Sequence, residues 1–575
     1  MTKPEGKESL RYFSVRLSDG GTLTEVELAH FDTLTNIYKP AIRRYEAEER
    51  FPGQSWHGPI LIHEDAQATM LAYEHGSDST IRFMEFAESD GALELRSAMG
   101  GYCDGDVAEM ESPWFQLGRA ADVDALLQDY RTFQLTELGT PTSRTPSIFY
   151  NTWNHQERLK YLQGKPYLSE MNLERMLAEV DAAHEMGIEV FVIDTGWYAK
   201  TGDWEVNLER FPDGLQEVRQ RLEGYGMRLG LWFNPIVAAQ TSKVFLDHPE
   251  WVMEDSEGQK NFCGPIWETE ESWGMCVCSG WADHFAQTLV RLNRELGVSY
   301  FKWDAIHLYG CTAAHHDHGG PHNSIEERAD RYAFESGRRL THIVETVLES
   351  CPDAIVDFDF TERNRYFGLG FSSVGKMFLV NNGPYFGNFD IPPDHQRTPD
   401  TINVFFNPGS ARPRVCRGGY KFDPFVPSIL YLTHYLPDGP RLAQENSFAS
   451  LVLGGNGIWG SLPELTSEDR AWWFENLEAY KKVRLGATRA YPRVIGEPGT
   501  SPEIHEKIDP DSGVGLVCFF TVTKGTFEHV TQALLAVEPT VTGADEWRVL
   551  PNGRLWLKVS LPEQGARVVF IGADR

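Results

Sequence analysis

At 575 residues, 41% hydrophobic and 24% charged, the chain has the composition of a soluble globular protein with room for about two to four domains. Its formal net charge of −30 excludes nucleic acid and anionic lipid as partners, because both require a basic face. A neutral ligand remains. The 16 Trp and 21 Tyr suit a sugar, whose apolar faces stack on flat rings, although most aromatics in a chain this long build core. The start, MTKPEGKESLRYF, has no apolar stretch and predicts no secretory signal. No window approaches the roughly 18 uninterrupted apolar residues of a membrane-spanning helix. The eight Cys are scattered, and Cys276 with Cys278 forms CxC rather than the CxxC of a zinc or redox pair. Reduced thiols and a cytoplasmic location are the expectation.

Residues 1–145 read as an N-terminal β-sandwich domain, with short strands at Arg11–Arg16, Gly58–Ile62, Thr69–Tyr73 and Thr80–Phe86 and one helix at Asp122–Leu135. From 146 the rhythm alternates. SIFYNTWN (147–154) is a strand, Leu173–Met186 a helix, IEVFVIDTGWY (188–198) a strand, Gly214–Gly224 a helix and MRLGLWFNP (227–235) a strand. Helix Trp281–Glu295 leads to VSYFKWDAIH (298–307), and helix Ser324–Ser350 leads to AIVDFDFTE (354–362). Strands KMFLVNNG (376–383), ILYLTHYL (429–436) and NGIWGSL (456–462) follow, closed by helix Ser467–Arg484. Eight apolar strands alternating with helices predict an α/β fold, a (β/α)₈ TIM barrel over 146–487. Residues 488–575, with GVGLVCFFTV and RLWLKVSL, read as a small C-terminal β-sandwich.

A barrel of this kind carries its chemistry at the C-terminal ends of its strands. The polar and aromatic residues there are Trp153, Asn154, Asp194, Trp232, Asn234, Lys302, Asp304, Asp357, Asp359, Glu362, Asn381, Asn382 and His434. Several carboxylates converging on one mouth is what cleavage of a glycosidic bond requires.

Three segments carry a resemblance. VIDTGWYAKTGDWEVNLERFPDGLQEVRQRLEGYGMRLGLWFNPIVAAQTSKVFLDHPEWVM, YFKWDAIH and GNGIWGSLPELTSEDRAWWFENLEAYKKVR resemble, in order and spacing, the barrel of glycoside hydrolase family 36, the α-galactosidases. The resemblance implies Asp304 as nucleophile, Lys302 as a ligand of sugar hydroxyls that keeps Asp304 ionised, and Asp194 as the first Asp of a DDGW motif. It implies Trp197 and Trp232 as subsite aromatics, with core packing the other reading of Trp232.

The pattern departs at three places. The second Asp of DDGW is Thr195, which lacks the charge to bind sugar hydroxyls as strongly. The Gly-rich CxSGGGR segment is DFTERNR, with Asp359 in place of Cys and Arg365 retained. The SD pair that supplies the general acid falls on Asn381 and Asn382, and an amide has no transferable proton. Asp359 is then the first choice for the acid and Glu362 the second, because a carboxyl beside Asp304 is pushed up by the like charge.

His315, His316, Asp317, His318 and His322 read as a solvated or substrate-covering loop with no metal. Arg412, Arg414 and Arg417 either bind an anionic substituent of the sugar or pair with surface acids. The reading is a retaining exo-acting α-glycosidase with no cofactor, acting on a small oligosaccharide or glycoside, with self-association left open. The rivals are a transglycosylase on the same barrel and a carbohydrate-binding protein that has lost its acid.

Overall fold

The computed structural model describes residues 9–572 except 19, 33–36, 52, 78–80, 90, 102–110, 267–269, 305–309, 361–364, 381–410 and 536–538. Eight parallel strands close into a barrel: β1 (Phe149–Asn151), β2 (Val190–Ile193), β3 (Arg228–Phe233), β4 (Val298–Trp303), β5 (Ile355–Asp359), β6 (Lys376–Val380), β7 (Tyr431–Tyr435) and β8 (Asn456–Ile458). Closure is made by β1 against β8, with Phe149 opposite Gly457 and Tyr150 opposite Ile458. The predicted architecture is therefore present. Strands such as β2 and β5 are buried along their whole length, as expected when helices cover a sheet whose other face is the barrel interior. Phe149, Val190, Val192, Tyr300, Ile355 and Leu432 belong to one buried cluster, which makes the lower barrel a packed core rather than a pore.

The helix before β4 shows how sequence aims the site. Trp281–Leu296 buries Trp281, Phe285 and Leu289 on one face and ends at Gly297, whose φ of 70° lies in the left-handed region. That turn sends the chain straight into β4. Helix Ile325–Ser350 starts from a reciprocal cap between Ser324 and Glu327.

Two larger sheets precede the barrel. One has four strands in the order Arg11–Val15, Ala92–Ser97, Met84–Ser89, Ser55–Trp56; the other has five, Phe115–Ala120, Ala68–Tyr73, Pro59–Glu64, Thr22–Glu27, Ala41–Tyr45. A five-stranded and a three-stranded sheet follow it.

Local differences from the sequence reading have identifiable causes. The segment 147–154 is strand only over Phe149–Asn151, and Trp153 and Asn154 open a helix, Trp153–Gln163. Asn151 Oδ1 accepts the Trp153 amide at 2.9 Å, an Asx turn that competes with strand extension. Residues 188–198 are strand only to Ile193, because Asp194 Oδ1 accepts the Thr195 amide at 2.9 Å and Gly196 has φ 97°. Between β3 and helix Trp281–Leu296 lies an unpredicted antiparallel sheet of Val237–Ala239, Glu271–Gly274 and Phe262–Pro265. The closing helix runs to Arg489 rather than Arg484.

Candidate functional site

The ends of β2 to β5 gather a buried charge cluster. On β4, Lys302 and the residue just past the strand, Asp304, fall on one face by the two-residue period, with Lys302 Nζ 3.9 Å from Asp304 Oδ2. Lys302 Nζ also lies 3.1 Å from Asp194 Oδ2 at the end of β2. Trp232 on β3, in register with Lys302, donates its indole N–H to Asp304 Oδ2 at 3.1 Å. Arg365 Nη1 sits 3.2 Å from Asp304 Oδ1 and 3.0 Å from Asp359 Oδ1, so one guanidinium bridges the carboxyls of β4 and β5. Asp304 is only 8% exposed and Asp359 is wholly buried.

Protonation follows from this arrangement. Burial works to raise the Asp304 pKa, but Lys302 and Arg365 outweigh it and hold the carboxyl below the usual carboxylate range. Asp359 goes the other way. Burial and the negative Asp304 push it well above the usual range, so it keeps its proton and hydrogen-bonds Asp304. Lys302 is held above its usual value by Asp194 and Asp304 despite the opposing effect of burial. Deeper in the barrel, burial pushes Asp357 up to about 7, while its Oδ2 accepts the Tyr300 hydroxyl at 2.6 Å.

The structure thus brings Asp194, Trp232, Lys302, Asp304, Asp359 and Arg365 together. Thr195 is buried behind Asp194, its hydroxyl 2.9 Å from that of Tyr167. Trp197 is fully buried and gives its indole N–H to the Trp232 carbonyl at 2.9 Å, so it reaches the site through Trp232. Trp232 is itself fully buried, stacked near Tyr198 at 5.8 Å, and combines the packing role with a hydrogen bond to Asp304. Glu362, Asn381 and Asn382 lie outside the described residues. Of the three arginines, Arg417 pairs with an acid, but a buried one, Glu503, at 2.6 and 2.8 Å; Arg414 Nη2 bonds Gln564 Oε1 at 2.8 Å, and Arg412 is buried over the Trp459 ring.

Three residues escaped the sequence reading. Asn151 Nδ2 donates to Asp194 Oδ2 at 2.8 Å, and Thr152 Oγ1 accepts the Asp194 amide at 3.0 Å. Glu157 is buried on the helix after β1, where desolvation pushes it up to about 7. Asn151 and Thr152 close β1, a position that could have flagged them. A cavity of about 660 Å³ lies elsewhere, lined by residues including Glu74, His318, Arg331, Glu335 and Arg338, with no strand-end carboxylate in its wall.

The comparisons with known proteins fit this geometry. Residues 151–348 match the Melibiase family model. The chain is 25% identical over 202 residues to an α-galactosidase of Escherichia coli, covering 34% of this chain and 26% of that protein. It is 28% identical over 221 residues to α-galactosidase 2 of Pediococcus pentosaceus, covering 37% and 27%. The chain spans about a quarter of the length of these curated relatives. Whole-chain likeness is structural. A family 36 α-galactosidase AgaA variant from Geobacillus stearothermophilus in complex with raffinose aligns over 98% of this chain and 76% of its own, at 14% identity and a TM-score of 0.63. An α-galactosidase from Lactobacillus brevis aligns over 98% and 75%, at 14% identity and 0.66. The class is therefore an α-galactosidase-like (β/α)₈ barrel with flanking β-sheets. Within that class the sequence likeness is local: residues 151–348 are similar to the Melibiase family. Among the described residues, no helix is long and apolar enough to cross a membrane.

Proposed function

We propose that this chain is a retaining, exo-acting α-glycosidase of the α-galactosidase type, working through a covalent glycosyl-aspartate on Asp304. One observation carries the reading: a single strand-end carboxylate is flanked by Lys302 and Arg365 and hydrogen-bonded by Trp232, which keeps it ionised as a nucleophile must be. Asp304 attacks the anomeric carbon as the glycosidic C–O bond breaks, and Asp359 gives its proton to the departing oxygen. Asp359, now ionised, takes a proton from the water that displaces Asp304, so two inversions give net retention. Retaining carboxyl pairs stand about 5–5.5 Å apart, so an entering sugar must part the Asp304–Asp359 hydrogen bond.

The proposed substrate is a small oligosaccharide or glycoside with a terminal α-linked sugar, in keeping with the raffinose and stachyose bound by structural relatives. Asp194, fixed by Lys302 and Asn151, and Lys302 itself are the proposed ligands of the sugar hydroxyls. Thr195 cannot make the charge-assisted bonds of the Asp it replaces, which leaves the sugar open, so the panel must be broad. A cytoplasmic location accords with free thiols at Cys276, Cys278, Cys311, Cys351, Cys416 and Cys518.

The test is turnover of aryl α-galactoside, α-N-acetylgalactosaminide, α-glucoside and β-L-arabinopyranoside, combined with an epoxide-type inactivator and peptide mass mapping. Label on Asp304 supports the reading. Label elsewhere overturns the assignment of Asp304, and no turnover of any activated glycoside overturns the reading in favour of a binding protein. Products dominated by transfer to an added alcohol would redirect the same intermediate to transglycosylation.

A further inference from the structure

Away from the barrel mouth, four side chains distant in sequence converge. Cys276, Cys311, His316 and His318 are all buried, and one donor atom from each lies within 4.8 Å of every other. Their spacing, C-x34-C-x4-H-x-H, matches no compact zinc motif, and sequence reading passed over it for that reason. Cys276 follows the inserted antiparallel sheet, and its amide donates to the Trp251 carbonyl at 2.8 Å. Cys311 and the two histidines lie on the loop that follows Asp304.

The two imidazoles are oriented from behind. His316 Nε2 lies 2.7 Å from the Glu250 carbonyl, so in the neutral ring that nitrogen carries the proton. The lone pair is then on Nδ1, which faces Cys311 Sγ at 3.3 Å. His318 Nδ1 lies 3.1 Å from the Arg328 carbonyl, which leaves the lone pair on Nε2. That Nε2 is buried and, among the described residues, meets no hydrogen-bond partner of acceptable geometry. Backbone carbonyls that set the tautomer of each ring are the usual outer support of histidine metal ligands. Two lone pairs and two thiols thus point into one dry space.

We infer that Cys276, Cys311, His316 and His318 form a structural metal site that takes zinc. Two thiolates and two neutral imidazoles are a tetrahedral, borderline-soft donor set, and they make the bound dication electrically neutral, which suits a buried position. Zinc–ligand bonds of about 2.0–2.3 Å imply tetrahedral edges of about 3.3–3.8 Å, so the cluster need tighten only slightly. Binding displaces the two thiol protons to solvent. The ion staples the excursion after β3 to the loop after β4, and so fixes the chain that leaves the Asp304 strand.

Elemental analysis of the full-length protein, purified without chelator and after incubation with excess zinc, is the direct measurement. One zinc per chain is expected. The cobalt-substituted wild type should show tetrahedral d–d bands and thiolate-to-cobalt charge transfer, a readout that requires no variant to fold. Cys311→Ser and His318→Gln should each retain less than about a tenth of the metal, whereas Cys278→Ser should keep it. Substoichiometric metal after reconstitution, a Cys276–Cys311 disulfide in the intact mass, or full metal in Cys311→Ser would overturn the site. The inference is independent of the glycosidase reading, since metal content is measured without substrate.

Discussion

The barrel mouth and the seam between the barrel and its flanking sheets each bury a charge cluster, and the two differ in balance. At the seam, Asp423 accepts Arg131 Nη1 at 2.9 Å and the Ser428 amide at 2.7 Å on Oδ1, and Lys507 Nζ at 2.8 Å on Oδ2. Lys507 Nζ also donates to Ser428 Oγ at 2.7 Å and Leu453 O at 3.1 Å, which uses its three protons. Arg131 adds bonds to the Thr488 carbonyl. That cluster joins the N-terminal helix, the barrel and the C-terminal sheet by holding one carboxylate between two cations. At the mouth, Asp194, Asp304 and Asp359 share Lys302 and Arg365. Asp304 and Asp359, bridged by one guanidinium, do not both ionise: burial and the negative Asp304 keep the proton on Asp359. A carboxylate held ionised by two cations and an amide stabilises, whereas a carboxyl held protonated beside an ionised one can exchange its proton, which is the physical ground for proposing catalysis at the mouth.

The comparison breaks most sharply at Asp304. Asp304→Ala should lower kcat by about 10⁴-fold or more, measured on an aryl glycoside with the melting temperature as control; a loss under tenfold would make the mouth cluster structural, like the seam. Next comes Asp359→Asn, expected to cost about 10²–10⁴-fold on an unactivated oligosaccharide and far less on an aryl glycoside whose leaving group needs no proton. Because the Asp359 pKa is raised, wild-type activity should fall as pH rises through it, and the variant's profile should lose that alkaline limb.

At the seam the expected effect is on folding. Asp423→Ala leaves two buried cations unmatched and should destabilise by about 3–5 kcal/mol, read by chemical denaturation, with kcat of the folded fraction unchanged. Asp423 is held below the usual carboxylate range by Lys507 and Arg131 against the opposing effect of burial. Its stabilisation is therefore full above that range and lost as pH falls through the folded-state pKa. A wild-type acid limb unaltered in Asp423→Asn would contradict the assignment. The smallest effect on activity belongs to Trp232→Phe, which removes one hydrogen bond to a charged acceptor and should cost about tenfold in kcat/KM, alongside a loss of stability from the cavity the smaller ring leaves.

Strand periodicity exposed much of the site. Lys302 and Asp304 two residues apart on an apolar strand, and Asp359 at the end of the next, mark one face of one mouth. Asn151, Thr152 and Glu157 were missed because an Asx turn ends β1 earlier than its apolar run suggests, and the helix that follows turns Glu157 inward. That Arg417 pairs with a buried acid rather than a surface one was not legible, because a basic cluster in a loop-like stretch gives no sign that Glu503, 86 residues later, lies against it.

Composition and alternating apolar runs by themselves determined the layered α/β barrel, because burying strands on both faces leaves few other architectures for eight strand–helix units. Local spacing also determined which carboxyls head the strands. Only the tertiary structure decided which charges meet across strands, which carboxyl keeps its proton, and that two cysteines and two histidines from separate loops share one point. Those outcomes depend on distances of a few ångströms between residues far apart in the chain, and Coulomb and coordination energies vary steeply over that range.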